Sequence, residues 1–403
     1  MIITQNIGGN MKKFLIVMVC VLFLTAGLTA GEKCKTCKHE PIVEQLATIL
    51  KAKPALQDAL LVSLKKADRL DAPTLPAYFK FLDDMVTLIP TDRNLYAHIV
   101  GFYYLIDFSP NGILQKDVLF QQWTLQFAKD WGSFLDTPRS AKGVKTFLMD
   151  PDFHMDDYQV GPSGWRTFNQ FFARQLKPGK RPIDDLCDDR IVVSPADSTM
   201  VGCWRIDEKS KIHVKGKGKP FSVMDLLDCS PYKDRFKGGV FMHSFLNVND
   251  YHRYHVPVGG EVLEAREIYG KVVLEVEKWK DGSLHAVDDT GYQFTQARGL
   301  IILDSPMGLV AVLPIGMAQV SSCNITAEVG ATLHKGEEFG YFLFGGSDII
   351  VMFEAKSNVS VCATPNVHYN QGKTIARFGK PCPGKKNPCP PPIEEPCHDK
   401  KQN

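Results

Sequence analysis

From Glu40 to about Leu148 apolar residues recur at helical spacing. Ile42, Leu46, Ile49 and Leu50 line one helix face, Leu56, Leu60, Leu61 and Leu64 line the next, and Pro54 separates the two. The same period predicts helices over Ala77–Leu88, Leu95–Ile106 and Val118–Leu135, with loops at Pro90, Pro110 and Pro138. A polar linker bearing Gly and Pro, Asp150–Gly164, leads to an amphipathic helix expected at Trp165–Leu176, with Phe168, Phe171 and Phe172 on its apolar side. That helix stops at Lys177-Pro178-Gly179-Lys180-Arg181-Pro182, a basic turn that reads either as solvated or as a partner for an anion.

From Ile191 onward the pattern shortens to β-type runs punctuated by Gly and Asp, such as Val240–Met242, Lys271–Val276, Leu300–Leu303 and Leu309–Leu313. The fold class expected is therefore α+β: an N-terminal helical domain over 40–150, then a mostly antiparallel β domain over 151–379. Within it, Glu338–Glu354 (EFGYFLFGGSDIIVMFE) reads as two strands around Gly345-Gly346-Ser347, a hairpin by composition. A Gly-Ser bond at such a bend leaves the Gly carbonyl unguarded, with a hydroxyl beside it. The last segment, 380–403, carries seven prolines and three cysteines and cannot build a core of its own.

Composition adds the compartment. The chain has 403 residues, 44% hydrophobic and 23% charged, with net charge +2, so no basic face argues for a nucleic-acid partner. Lys12 and Lys13 precede an apolar run, Phe14–Ala26, and then small residues to Gly31, which fits a signal peptide over 1–31 with Met11 as its start. An uncleaved anchor is the alternative. Export, periplasmic or secreted, agrees with ten cysteines outside that run, of the 11 present, an even number suited to disulfides. Cys34 and Cys37 form a lone CxxC with no second pair to complete a zinc site, so no metal is expected.

Two stretches in the β half could carry chemistry. Asp197 stands on a Pro-set turn, Ser194-Pro195-Ala196-Asp197, where an Asx-turn is the plainer reading. Asp250-Tyr251-His252-Arg253-Tyr254-His255 puts two histidines three apart; a helical turn would place both rings on one face, a strand on opposite faces. Asp197, one of these histidines and Ser347 could form an acid–base–nucleophile set. A serine hydrolase lacks support, because there is no Gly-x-Ser-x-Gly elbow. A zinc hydrolase lacks a His-Glu-x-x-His.

Four stretches taken together resemble the phosphatidylserine decarboxylase family of self-processing, pyruvoyl-dependent enzymes. They are TFNQFFARQLKPGKRPI (Thr167–Ile183), SPAD (Ser194–Asp197), DYHRYHVPVGG (Asp250–Gly260) and KGEEFGYFLFGGS (Lys335–Ser347). FAKDWGSFLDTPRSA (Phe127–Ala141), Gly164-Trp165 and IGMAQVSSC (Ile315–Cys323) are similar to a sub-branch with an extra helical domain, which includes fungal L-tryptophan decarboxylases. The resemblance implies self-cleavage between Gly346 and Ser347. His255, oriented by Asp197, would take the proton of Ser347, whose oxygen attacks the Gly346 carbonyl; elimination then leaves a pyruvoyl cofactor derived from Ser347. Its ketone would condense with the substrate amine and accept electrons as CO2 leaves, with His252 assisting decarboxylation and proton return.

The substrate implied is phosphatidylserine or a free L-amino acid, with a membrane surface as a further partner. The two cleavage products would form a heterodimer. The family usually has Ser or Thr after the nucleophile, and here Asp348 would set a carboxylate beside the pyruvoyl group. A non-catalytic, disulfide-stabilised secreted protein reusing the fold is the competing expectation.

Overall fold

The computed structural model describes residues 38–215, 217–286, 291–316, 323–343, 347–383 and 389. The expected signal peptide, Cys34, Cys37, Gly346 and Val320-Ser321-Ser322 lie outside them. Everything from His39 onward belongs to one unit.

Five longer helices lead the N-terminal part: Pro41–Ala52, Pro54–Ala67, Leu75–Val86, Leu95–Ile106 and Val118–Leu135. Two of them begin on prolines, which lose nothing at a first turn whose N–H is unpaired anyway. The third starts two residues before its expected position because Thr74 caps it, accepting from the Ala77 N–H. Asp117 caps the last, accepting from the Phe120 N–H at 3.0 Å. Their shared core is aromatic: Phe102 stacks on Phe127 with centroids 5.4 Å apart, and the Trp123 indole donates to the Ile42 carbonyl at 2.8 Å.

The expected helix over Trp165–Leu176 is much shorter, Phe168–Phe172, with Thr167 as its cap. Tertiary contacts override the pattern at both flanks. Arg174 turns inward to donate to backbone carbonyls of Asn249 and Asp250, and Leu176 bridges to Tyr158. The three phenylalanines are buried as expected.

An eight-stranded antiparallel sheet forms the centre of the C-terminal part. Its strands run in the order Thr332–Leu333, Gly260–Ile268, Arg298–Ser305, Gly308–Gly316, Ser347–Phe353, Val240–Leu246, Ser198–Arg205 and His368–Tyr369. Two three-stranded sheets accompany it. One joins Ile191–Val193, Thr374–Phe378 and Val359–Val361; the other joins Cys323–Ile325, Glu338–Phe342 and Arg253–His255. The α+β class holds.

Two readings of the β pattern change. Of Lys271–Val276 only Val276 is in a strand, Val276–Lys278; the preceding backbone is irregular, and the Gln296 side chain amide satisfies the Val273 carbonyl. Glu338–Phe342 and Ser347–Phe353 are both strands, but they are no hairpin. The first pairs with Cys323–Ile325 and Arg253–His255, the second with Gly308–Gly316 and Val240–Leu246. The two strands thus belong to different sheets.

Both faces of the large sheet are buried. Ile349, Val351 and Phe353 join a core continuous with the helices, while Ile350 and Met352 join a second core with Phe241, Leu313 and Ile315. Disulfides Cys203–Cys389 and Cys362–Cys382 tie down the tail residues that are described.

Candidate active site

All seven residues of Ser347–Phe353 are buried, so the nucleophile candidate begins a central strand. Ser347 lies opposite Leu246 on one side and Gly316 on the other. Its hydroxyl is buried and has no hydrogen-bond partner among the described residues. An unpartnered buried hydroxyl costs about 1–3 kcal/mol, which a fold retains where the group has other work.

Side chains alternate along a strand, so Ser347 shares a face with Ile349 and Val351, and Asp348 faces the other way. There Asp348 accepts from His243 Nε2 at 2.8 Å and from the Tyr292 hydroxyl at 2.6 Å, fully buried. The expected carboxylate beside the Ser347-derived group is therefore absent from that face. The alternation of a buried strand moved it.

Asp197 stands between the strands Ile191–Val193 and Ser198–Arg205 and is 3% exposed. Its carboxylate accepts a forked pair from Arg181, Nε at 2.9 Å and Nη2 at 2.6 Å, and the Gln371 N–H at 2.7 Å. Arg181 also reaches Asp157 at 2.8 Å, and these carboxylates hold its pKa above the usual guanidinium value. The basic turn is thus neither solvated nor awaiting an anion at Arg181.

His255 is held by other groups than expected. Its Nδ1–H donates to the Gly336 carbonyl at 2.8 Å, which leaves the Nε2 lone pair to accept from the Tyr251 hydroxyl at 3.1 Å. Gly336 sits at φ +82°, and a Cβ there would strike Ile183, so only glycine presents this carbonyl without strain. Lys335 next to it donates to the carbonyls of Asp185 and Asp188 and so anchors the loop. The His255 backbone N–H bonds the Pro195 carbonyl, tying the histidine to the turn that carries Asp197. Asp197 acts on the ring through charge rather than by a hydrogen bond. Burial pushes the His255 pKa down to about 4, with Arg253 in the same direction and the Gly336 carbonyl and Asp197 opposing.

His252 immediately precedes the strand that carries His255, and the two rings have separate surroundings, as strand geometry requires. Its Nδ1 donates to the Asp250 carbonyl at 2.9 Å, its ring lies 4.0 Å from that of Phe172, and Nε2 is buried without a partner among the described residues. Burial, reinforced by the Arg174 cation, holds its pKa well below the usual value, so the ring is neutral.

Backbone register gathers these groups at one end of the large sheet. Ser347 opposes Leu246 on the strand whose Phe245 opposes Thr199, two residues beyond Asp197. The chain leaving Leu246 reaches His252 within six residues, and the His252 carbonyl accepts the Phe342 N–H, five residues before Ser347. Arg298 lies elsewhere, donating to the carbonyls of Asp225 and Leu226 as a buried structural cation. Arg181, Tyr251 and Gly336 were missed as site residues, although all three lie inside the recognised motifs. His243 and Tyr292 left no motif signal; strand pairing alone identifies His243.

A family model described as phosphatidylserine decarboxylase matches residues 168–377, just over half of the chain. The chain belongs to the phosphatidylserine decarboxylase family. The phosphatidylserine decarboxylase proenzyme of Fusobacterium nucleatum is 32% identical over 269 residues, covering 66% of this chain and 84% of that protein. Phosphatidylserine decarboxylase proenzyme 2 of Oryza sativa subsp. japonica is 35% identical over 272 residues, but the chain spans only 40% of its length. Decarboxylase iboD of Amanita muscaria, 26% identical over 287 residues and covered over 82% of its length, agrees with the likeness to the fungal sub-branch. The relatives named here are decarboxylases, hence carboxy-lyases. The family match spans Asp197, His252, His255 and Ser347 alike.

Proposed function

We propose that this protein is a pyruvoyl-dependent decarboxylase that cuts itself between Gly346 and Ser347. The observation carrying this is the buried, unpartnered Ser347 hydroxyl, directly after two glycines at the start of a central strand. The His252 Nε2 is likewise buried without a partner among the described residues, and the family match spans both groups.

In self-cleavage the Ser347 oxygen adds to the Gly346 carbonyl while its proton passes to the Nε2 lone pair of His255, displacing Tyr251 as partner. The Gly336 carbonyl holds His255 in the tautomer this needs, and Asp197, with Arg181 behind it, supplies negative charge that favours the protonated ring. The C–N bond breaks, an ester forms, and elimination across Ser347 returns Gly346 as a carboxylate. Water then releases the Ser347 nitrogen as ammonia.

The resulting pyruvoyl group supplies an electron sink for loss of CO2 from an amine-bearing acid. In this reading His252 holds or returns a proton through Nε2, because Nδ1 is committed to the Asp250 carbonyl. Neutrality of that buried ring lets it act as a base without a charge opposing the substrate's ammonium. The substrate is an L-amino acid unit, either free, as the sub-branch likeness favours, or as the head group of phosphatidylserine.

Export is part of the same reading. The Lys12–Gly31 segment and the two disulfides support an oxidising compartment. No helix among the described residues is long and apolar enough to cross a membrane.

Intact mass under reducing conditions tests the proposal. The expected products are a long chain ending at Gly346 and a fragment of 57 residues, 347 to 403, lighter by one ammonia than unmodified sequence. A single uncut chain would overturn it in favour of the non-catalytic alternative.

A further inference from the structure

The face of the Ser347–Phe353 strand turned away from the Ser347 side chain is an apolar one. Ile350 and Met352 lie on it and pack with Phe241, Leu313 and Ile315 in one core. Asp348 breaks that pattern, fully buried and directly opposite Ile315. Both its oxygens are engaged: Oδ1 accepts from His243 Nε2 at 2.8 Å and Oδ2 from the Tyr292 hydroxyl at 2.6 Å. His243 opposes Ile350 on the neighbouring strand Val240–Leu246, which places it diagonally to Asp348 on the same face.

Tyr292 is fixed by its own surroundings. It opens the turn Tyr292–Phe294, whose Phe294 ring stacks on Phe241 with centroids 5.9 Å apart. The Tyr292 carbonyl accepts the Thr295 N–H at 2.9 Å, and Gln293 Oε1 accepts the Gly291 N–H at 2.7 Å. Asp348 therefore meets two donors that packing already holds in place.

Stability alone does not call for this network, because an apolar residue in such a core commonly stabilises as well as a buried charged pair. The strand is also paired on both sides along its whole length. What the hydrogen bonds add is direction, which apolar contact lacks. Self-cleavage creates the need for it. The cut turns residue 347 from mid-chain into a chain end. Its nitrogen leaves as ammonia and its hydroxyl oxygen leaves with Gly346, so that residue keeps neither its N–H nor its O–H. Asp348 is then the first residue of the short chain with a side chain able to hold that end. His243 and Tyr292 both belong to the long chain, so the two bonds cross between the products beside the new end. The Cys203–Cys389 bridge joins the products far along the short chain and does not hold this end. Chain ends fray unless they are tied down.

We propose that Asp348 is a positioning residue: through His243 and Tyr292 it clamps the new N-terminus of the short chain, so that the group made from Ser347 is presented in one place at the end of the sheet where the histidines gather. The clamp rests on the self-cleavage reading, since without a cut there is no new end to hold.

Hydrogen exchange read by mass spectrometry tests it, on the full chain with its disulfides intact. Y292F and D348N are compared in two backgrounds, the self-cleaved protein and S347A, which cannot cut itself, each against its own parent. In the cut protein both substitutions should speed exchange at amides 348–350 at least about tenfold more than they do in S347A, with the effect fading towards Phe353. Y292F removes one hydroxyl and leaves the His243 bond, so it carries the test if D348N fails to fold. A role in core stability alone would speed exchange alike in both backgrounds; that result, any smaller difference, or no change in the cut protein overturns the clamp. Intact mass is read first. Variants that stay uncut beside a parent that cuts would place the work of the network before cleavage and overturn the clamp alone. A parent that never cuts overturns the self-cleavage reading, and the clamp with it.

Discussion

Cys203 lies on the long side of the proposed cut and Cys389 on the short side, so their disulfide crosses it. Cys362–Cys382 lies wholly within the short side. Self-cleavage should therefore give two chains still joined by one covalent bond. The perturbation is C389S, with reduction of the unsubstituted protein as its chemical counterpart. In the uncut chain the bridge closes a loop of 186 residues in sequence separation. Chain entropy assigns such a loop about 5 kcal/mol, and measured bridges commonly give about 2–4 kcal/mol. After the cut, the same bridge keeps the short chain at an effective concentration on the order of millimolar.

The short chain begins with a strand of seven buried residues, paired on both sides. Native association should thus survive without the bridge, whereas refolding from denaturant should not. The assay is a denaturing gel with and without reductant, beside native size-exclusion. Unsubstituted protein should run as one species without reductant and as two with it; C389S should run as two in both; all should elute as one native particle. Two species from the unsubstituted protein without reductant would refute the tether. One species in every lane would refute the cut.

Four further outcomes follow from the buried polar groups. D348A strands His243 and Tyr292 in the core and should cost about 3–5 kcal/mol in urea unfolding, whereas D348N keeps one acceptor oxygen and presents an amide N–H donor to the other partner, which can accept it, and should cost less. His255 titrates near 4 when folded, against an ordinary value of 6.5, so the self-cleavage rate should be flat above about pH 6 and fall as pH nears 4. The buried His252 and His255 refuse protons that the unfolded chain accepts, so stability should fall as pH drops from 6.5 towards 4, read as a falling urea midpoint. Burial lifts the Asp107 pKa to about 8 while its carboxylate accepts from the Val276 N–H. Its contribution is full only below about pH 3.8 and is lost progressively from there to pH 8, so the advantage of D107N in urea midpoint should be small near pH 4 and largest at pH 8 and above. No difference between those two pH values would refute that assignment.

Much of the molecule was legible because its signals are local. Helices at Leu95–Ile106 and Val118–Leu135 follow from apolar period and breakers, and the family motifs bring Asp197, His252, His255 and Ser347 to notice from residue order alone. The hairpin reading failed because composition around Gly345-Gly346 reports two strands and a bend, not which sheet each strand joins. The long helix expected at Trp165–Leu176 failed because Arg174 found carbonyls 75 and 76 residues away.

The sequence by itself determined which residue types would be available: a Gly-Ser bond, two histidines, an acid and many cysteines. Only the tertiary structure decided who touches whom. Strand alternation turned Asp348 away from Ser347 and onto His243, the loop at Gly336 took the orienting contact of His255, and Arg181 claimed Asp197. The physical reason is that a side chain's partner in a buried sheet is set by register and face, which depend on pairings far apart in the chain.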